Sequence, residues 1–399
     1  MLHRPDDRPR PSLAERARAL YPAIVAEADA TERNGRVSKA LMAQIHEARL
    51  LKMMVPRSIG GEEADLASFV EAVEEVAKAD ASTAWCVGQG NGCAFASGFL
   101  ATEIAREIFG PQDAVMSSGP SNATAKAIAV EGGYRVTGAW RYASGSRNAQ
   151  WLGAHCNVFE ADGSPRKIIP GRIPQMTVLF PKHQAVVKDV WNVMGLRGTG
   201  SDDYEVNDLF VPEAYSFTRD WAGDRREQGT LYRFSNFNLF GFAFGGIACG
   251  IARAMMDDFI KLAAVKSPSG SGTLRENAAV QRDFGWNEAK LQSARAYLYQ
   301  TLNDIWEKVE ATGECTPAER VSLRMASAFV IQTAKDVADF VYNAAGATAI
   351  FENQPFERRF RDIHVVTQQG QAHLSNFEAA GQLLLDWERR GASHLQGMA

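Results

Sequence analysis

The spacing of apolar residues changes twice along this 399-residue chain, and the two changes limit the folds open to it. Over residues 12–50 the apolar positions recur at helical spacing, with Leu13, Ala17, Leu20, Ile24 and Val25, then Leu41, Ile45 and Leu50. Pro56 and Gly60-Gly61 interrupt the pattern, and 65–78 resumes it with Leu66, Phe69, Val70, Val73 and Val76 on one face. Residues 81–109 continue as a helical stretch rich in small residues, which predicts burial. Between Pro111 and Phe217, β-branched residues and turns take over: AIAVEGGYRVTGAWRYAS reads as strand, Gly132-Gly133 turn, strand. The runs 151–159, 176–181, 186–190 and 203–211 are also strand-like. After Asn236 helical periodicity returns, in four long segments at 244–262, 277–309, 317–345 and 371–387. A chain of this length exceeds what one hydrophobic core usually serves. The pattern predicts an α+β fold: an N-terminal helical domain (1–110), a central β domain (111–235) and a C-terminal four-helix bundle (236–399).

Composition narrows the function classes. The net charge is −4 with no run of like charges, which argues against nucleic acid or an anionic membrane as partner. The longest apolar-rich stretch, 239–252, is broken by four glycines and is shorter than a membrane span. The first twenty residues carry no apolar leader, so a cytoplasmic location is expected. Five cysteines without a CxxC pair predict reduced thiols and no metal site. Residues 1–10 are charged and Pro-rich and read as a frayed tail; 267–272, SPSGSG, reads as a flexible connection.

The segment 191–212, WNVMGLRGTGSDDYEVNDLFVP, places the polar turn Gly195–Ser201 between two strands. Small residues and two hydroxyls at a turn let backbone N–H groups approach an anionic or polar ligand closely, and they equally suit a plain hairpin turn.

Three further segments carry a resemblance to a known family. Val55-Pro56 with Gly60-Gly61, Glu74-Glu75, and Asp80-Ala81-Ser82 are similar to the N-terminal signature of the acyl-CoA dehydrogenase superfamily. AWRYASGSRNAQW (139–151) resembles its flavin-facing strand. YNAAGATAIFENQPFERRFRDIH (342–364) resembles a segment typical of its flavin-dependent monooxygenase branch, which includes two-component aromatic hydroxylases and desulfurisation enzymes. The resemblance covers roughly 50–385 and implies the acyl-CoA dehydrogenase fold. It implies flavin contacts at Ser118, Tyr142, Ser144, Arg197, Thr199, Gly200, Ser201 and Gly346, and substrate walls at Trp85, Asn91, Cys93 and Phe240. A half-buried strand with Trp140 and Tyr142 facing the core is the structural alternative at 139–144, and an ion network is the alternative for Arg358, Arg359 and Arg361.

The chain also departs from its relatives. Dehydrogenases of the superfamily carry a carboxylate base over the flavin; the two aligned places hold Gln369-Gly370 and Phe240. Many hydroxylases of the branch carry a histidine where this chain has Gln369; His364 lies at a different offset, and a second histidine of the substrate wall is missing from 89–95. His364, Gln369 and Ser144 are therefore the candidate catalytic residues. No GxGxxG follows a strand, so reduced FMN or FAD is expected from a separate NAD(P)H-dependent flavin reductase. The expected function is the oxygenase component of a two-component monooxygenase. It would use O2, through a flavin hydroperoxide, to hydroxylate a small aromatic or heteroaromatic substrate, phenol- or indole-like, and would work as a homo-oligomer, most simply a tetramer. The alternatives are an acyl-CoA dehydrogenase-like oxidoreductase, marked by a carboxylate facing the flavin, and a non-catalytic binding protein, marked by loss of tight flavin binding.

Overall fold

Helix starts along the chain are set by small polar residues. Ser12, Ser38, Asp65, Asp80, Ser235, Asn277 and Thr316 each accept a backbone N–H that the first helical turn leaves without a partner. The computed structural model describes residues 11–120, 124–166, 175–218, 222–268 and 272–385. The tail 1–10, the middle of the SPSGSG segment and residues 386–387 of the last sequence-read helix lie outside the described residues.

The N-terminal helices are α1 (Leu13–Ala19), α2 (Tyr21–Asn34), α3 (Lys39–Glu47), α4 (Leu66–Ala79), α5 (Ala81–Ala94) and α6 (Thr102–Phe109). The predicted continuous stretch 81–109 is broken, because a 3-10 turn, Phe95–Phe99, separates α5 from α6. Gly98 lies there against the Tyr232 ring, which a Cβ would meet at 2.2 Å, so tertiary packing dictates the break. The C-terminal helices are α7 (Asn236–Val265), α8 (Ala278–Thr312), α9 (Pro317–Ala345), α10 (Glu357–Val366) and α11 (Ser375–Leu384). The fourth bundle helix, expected over 371–387, begins only at Ser375 as α11, and α10 precedes it where no helix is expected. Gln369 turns its amide onto Gln371 N (2.6 Å) and starts a 3-10 turn that ends any continuous helix. Helix α10 escapes a periodicity reading because ERRFRDIHVV buries only Asp362, Ile363 and Val366.

The N- and C-terminal helices share one apolar core, in which Phe69, Phe242 and Phe259 are fully buried. Glycines make this possible. A Cβ on Gly246 would stand 2.8 Å from Val70 O, and one on Gly250 would stand 2.5 Å from Glu74 O, so α7 lies directly on α4. Glu74 beneath them is buried and held by Arg295 Nε (2.9 Å) and Tyr299 (2.8 Å). Among the described residues α7 is the one helix apolar and long enough to cross a membrane, but 89% of its most apolar stretch is buried inside the protein, as a core helix should be.

The central strands are β1 (Met116–Ser118), β2 (Lys126–Val130), β3 (Gly133–Ala143), β4 (Trp151–Phe159), β5 (Gln175–Pro181), β6 (Val186–Lys188), β7 (Asp202–Pro212) and β8 (Ser216–Thr218). They form one sheet in the order β6-β7-β3-β2-β4-β5-β8, with β1 also paired to β4. Period-two alternation gives β4 two faces. Leu152, Ala154, Cys156 and Val158 enter the sheet's own core, while Trp151, Gly153 and His155 point the other way, toward the helices. Lys52 holds the end of α6 and the connection toward β1 by donating to the carbonyls of Phe109 and Pro111, the latter at 2.7 Å. Burial pulls its pKa down to about 8.

Gly250→Val is expected to lower Tm by several degrees, since overpacking a helix contact costs about 1–3 kcal/mol. A thermal melt matching that of the parent protein would show that α7 does not depend on this close approach.

Candidate active site

Strand β3 ends in an irregularity that aims two side chains in opposite directions. Its pairing with β7 slips between Trp140 and Ala143, and Tyr142 takes a left-handed φ of 61°. Such a bulge bends a strand and re-aims the side chains beyond it. Ser144 N donates back to Tyr142 O at 2.9 Å. Tyr142 turns outward, 48% exposed, with its ring 6.3 Å from that of Trp191 and the Arg141 guanidinium above it. Ser144 turns inward and is buried.

Ser144 joins a chain of hydroxyls whose polarity can be worked out. Thr199 donates its only hydroxyl proton to Leu196 O at 2.9 Å, so it accepts from Ser201 at 2.7 Å. Ser201 therefore accepts from Ser144, also at 2.7 Å. Trp85 Nε1 donates to Ser144 Oγ at 3.0 Å. The Ser144 proton is thus committed to Ser201, and the oxygen retains one lone pair for a further N–H or O–H donor. Ser117 steadies the same corner by donating to Ser144 O at 2.8 Å, and Trp85 lies flat on Phe244 at 4.1 Å.

The Gly195–Ser201 turn packs backbone against backbone. A Cβ on Gly195 would stand 2.4 Å from Arg361 O, and one on Gly200 would stand 2.4 Å from Gly35 O. Gly198 N donates to Ser82 Oγ at 3.2 Å, and Leu196 N donates to Asp362 Oδ1 at 2.6 Å. The small residues serve contact with α2, α5 and α10. Arg147 fastens the far side by donating to both oxygens of Asp202, at 2.8 and 3.0 Å. Arg358 and Arg361 meet Glu32 of α2 at 2.7 and 2.8 Å, an ion network at the same junction. Burial raises the Asp362 pKa to about 7 against the Leu196 hydrogen bond, and the neighbouring Asp80 charge adds to the rise.

A cleft of about 370 Å³, counting its open mouth, lies between the helix-facing side of the sheet and the helices. Phe95, Ala96, Phe99 and Phe240 form its apolar wall, and Gly92 lets the Phe240 ring pack closely on α5. Ser118, His155 and Thr177 line the sheet side. Ser118 Oγ lies 3.4 Å from Cys93 Sγ, and His155 Nδ1 lies 2.8 Å from Thr177 Oγ1. Met116 lines both this cleft and a second hollow that reaches Ser144 and Gly145. The structure thus gathers Ser118, Cys93 and Phe240 at one cleft, and Trp85, Ser144, Thr199 and Ser201 in one network beside it.

Other expected site residues lie elsewhere. Asn91 holds the 50–54 segment, donating to Leu50 O at 2.7 Å and accepting from Met54 N at 3.2 Å. His364 pairs with Asp339 at 2.9 Å and stacks near Phe360. Gln369 caps its 3-10 turn, and Arg197 donates to Val193 O at 2.8 Å and meets Glu32 at 3.3 Å. Gly346, with φ 56°, ends α9 beside Lys266, whose Nζ is 2.8 Å from Thr348 Oγ1. Sequence reasoning does not single out His155, Thr177, Phe99 or Phe217. The available signal is the alternation of β4, which puts His155 opposite the apolar even-numbered positions.

Comparison with known proteins agrees with this architecture. Residues 11–111 match the family "Acyl-CoA dehydrogenase, N-terminal domain" and 242–373 match "Acyl-CoA dehydrogenase, C-terminal domain". The chain is 29% identical over 354 residues to an indole-3-acetate monooxygenase of Pseudomonas putida, covering 88% of each protein. It is 26% identical to the flavin-dependent monooxygenase oxygenase subunit HsaA of Rhodococcus jostii, covering 91% of this chain and 94% of that one. XiaF of Streptomyces sp., solved with FADH2 and glycerol, superposes with a TM-score of 0.86 at 21% identity, covering 94% of this chain and 95% of that one. The chain belongs to the acyl-CoA dehydrogenase superfamily, in its flavin-dependent monooxygenase branch.

Two substitutions probe this site. Ser144→Ala would leave the buried Trp85 N–H without its acceptor, at about 1–3 kcal/mol; urea melts should register that loss, and an unchanged midpoint would show that the hydroxyl chain carries no stability. Asp362 binds its proton more readily folded than unfolded, so its contribution to stability falls as pH rises from its ordinary 3.8 to about 7. Asp362→Asn keeps an acceptor for Leu196 N–H and removes that slope. The variant should gain on the parent between pH 5 and pH 8 by a few kcal/mol, at about 1.4 kcal/mol for each tenfold difference in proton affinity between the folded and unfolded chain. A stability difference independent of pH in chemical denaturation would contradict the assignment.

Proposed function

We propose that this chain is the oxygenase component of a two-component flavin-dependent monooxygenase, taking reduced FMN or FAD and O2 to hydroxylate a small aromatic or heteroaromatic substrate. The observation that carries the reading is the chemistry of the cleft. Its walls are aromatic rings, a histidine, hydroxyls, a thiol and an amide, and no carboxylate lines it among the described residues. A dehydrogenase acting on a thioester needs such a carboxylate to remove a proton. Glu378, beyond the expected place in sequence, accepts from Gln382 on α11 instead.

The residues present fit a flavin. The spare lone pair of Ser144 suits an N–H at the edge of a reduced flavin ring, and Ser118 adds a second hydroxyl. Bound reduced flavin supplies the two electrons that split O2, one oxygen atom entering the substrate and the other leaving as water. The chain's own part is to hold and to dry. Trp85 and Ser201 fix the Ser144 oxygen as an acceptor, and Phe95, Phe99, Phe217 and Phe240 exclude water from the cleft. No nicotinamide fingerprint occurs in the sequence, so the electrons come from a separate NAD(P)H-dependent flavin reductase. Trp286 and Val265, 69% and 75% exposed, with Ile260 also exposed on α7, give the C-terminal helices apolar surface for a homo-oligomer, with a tetramer proposed.

Purified protein supplied with a generic flavin reductase, NADH, and FMN or FAD is expected to hydroxylate members of a panel of indoles and phenols. It should not turn over acyl-CoA esters with an artificial electron acceptor. Turnover in the second assay with none in the first would replace this reading by the dehydrogenase one.

A further inference from the structure

Thr199 and Ser201 are buried and line neither the cleft nor the hollow beside it, so they act on a ligand only through Ser144. What they pass to it is a direction. Thr199 closes a 3-10 turn, Arg197–Thr199, bounded by Leu196 and Gly200, both left-handed at φ 51° and 48°. Gly200 adopts that conformation freely; for Leu196 it is strained, and it persists because the surroundings hold it. Leu196 N is bonded to Asp362 Oδ1 at 2.6 Å, Leu196 O accepts from Trp191 Nε1 at 3.0 Å, and the side chain is buried. The carbonyl oxygen of Leu196 is thus a fixed acceptor for the Thr199 hydroxyl, 2.9 Å away.

The hydroxyl chain can run in two directions, and that bond separates them. With Thr199 donating to Leu196 O, Ser201 donates to Thr199, Ser144 to Ser201 and Trp85 to Ser144. Four bonds are made, and an acceptor lone pair is left on Ser144. Reversed, Thr199 donates to Ser201, Ser201 to Ser144 and Trp85 still to Ser144. Three bonds are made, and a proton is left on Ser144. A flavin ring nitrogen that carries a hydrogen in the reduced form is bare in the oxidised form. The first direction therefore receives the reduced ring and the second the oxidised one. We propose that Thr199 is a positioning residue: by anchoring its proton on Leu196 O it keeps Ser144 an acceptor, and so makes the site select reduced over oxidised flavin. The inference rests on the monooxygenase reading for the identity of the ligand, and it adds how borrowed flavin is told from spent.

Without the Thr199 hydroxyl the two directions keep two bonds each, so Thr199→Val removes the preference that this residue supplies. Dissociation constants of FMN and of FAD, oxidised in one series and reduced under anaerobic conditions in the other, give the preference of each protein for the reduced form. Thr199→Val is expected to lower that preference about fivefold, the worth of one hydrogen bond, and with it the midpoint potential of bound flavin by about 20 mV. Thr199→Ser, which keeps the hydroxyl, should hold the parent ratio. Ser201→Ala, which takes the acceptor from the Ser144 proton, should lower the ratio at least as far, and it serves if Thr199→Val does not fold. General damage to the site weakens both forms together and leaves the ratio unmoved. A ratio unchanged in whichever of these two variants folds, a ratio that falls as far in Thr199→Ser, or a parent protein that binds oxidised flavin as tightly as reduced overturns the inference. A parent protein that binds neither form overturns the monooxygenase reading and the inference together. Ratios that move as expected, with no indole or phenol hydroxylated by any of the proteins, leave the inference standing and sink the monooxygenase reading instead.

Discussion

The hydrogen bond from Leu196 N to the buried Asp362 carboxylate, with Gly195 lying directly on the Arg361 carbonyl, is the contact on which the rest of the arrangement depends. It joins the turn before β7 to α10, while neighbouring residues of the same turn touch α2 and α5. One seven-residue turn thus reaches all three parts of the chain. Its position decides where Thr199 and Ser201 stand, and through them which way the Ser144 proton points. A side chain larger than hydrogen at Gly195 or Gly200 would push these backbones apart and uncouple the hydroxyl chain from the helices. Burying a carboxylate at such a joint is unfavourable unless its hydrogen bonds are made. A wrongly docked turn would leave Asp362 without the Leu196 donor, so the same group that weakens the joint at high pH enforces its register.

The sheet does two jobs because its alternation is strict. Even positions of β4 close the sheet's own core, and the odd position His155 lines the cleft. The irregularity at the end of β3 is where alternation is suspended, and it sends Tyr142 to solvent and Ser144 to the interior. The Ser144 hydroxyl and the cleft imidazole are therefore products of irregular and regular backbone side by side. The helical layer supplies the opposite surface, and it lies close enough only because α5 and α7 carry glycines at their contacts, Gly92 against Phe240 and Gly246 and Gly250 against α4. Rings such as Trp85 and Phe244 then stack flat, which dries the region beside Ser144.

The sequence by itself determined the order of helical, β and helical parts, the presence of the long helices, the hairpin at Gly132-Gly133 and the family, because periodicity, capping residues and local motifs are properties of neighbours along the chain. Helix α9 was legible to the residue, since Thr316 with Pro317 marks its start and Gly346 its end. Ser118, Cys93, Phe240, Trp85 and Ser144 were also legible as site candidates, through their motifs. What only the tertiary structure decided was the partner of each. The hydroxyls of Thr199 and Ser201 face Ser144, and the Asn91 amide holds the 50–54 backbone. Gln369 caps a 3-10 turn where the helical reading of 371–387 begins, and His155, unremarkable in sequence, lines the cleft with three aromatic rings. The physical reason is the same in each case. A strand or helix specifies which face a residue takes, but the hydrogen-bond partner and the cavity beyond that face belong to segments tens to hundreds of residues away, and only their docking brings them within reach.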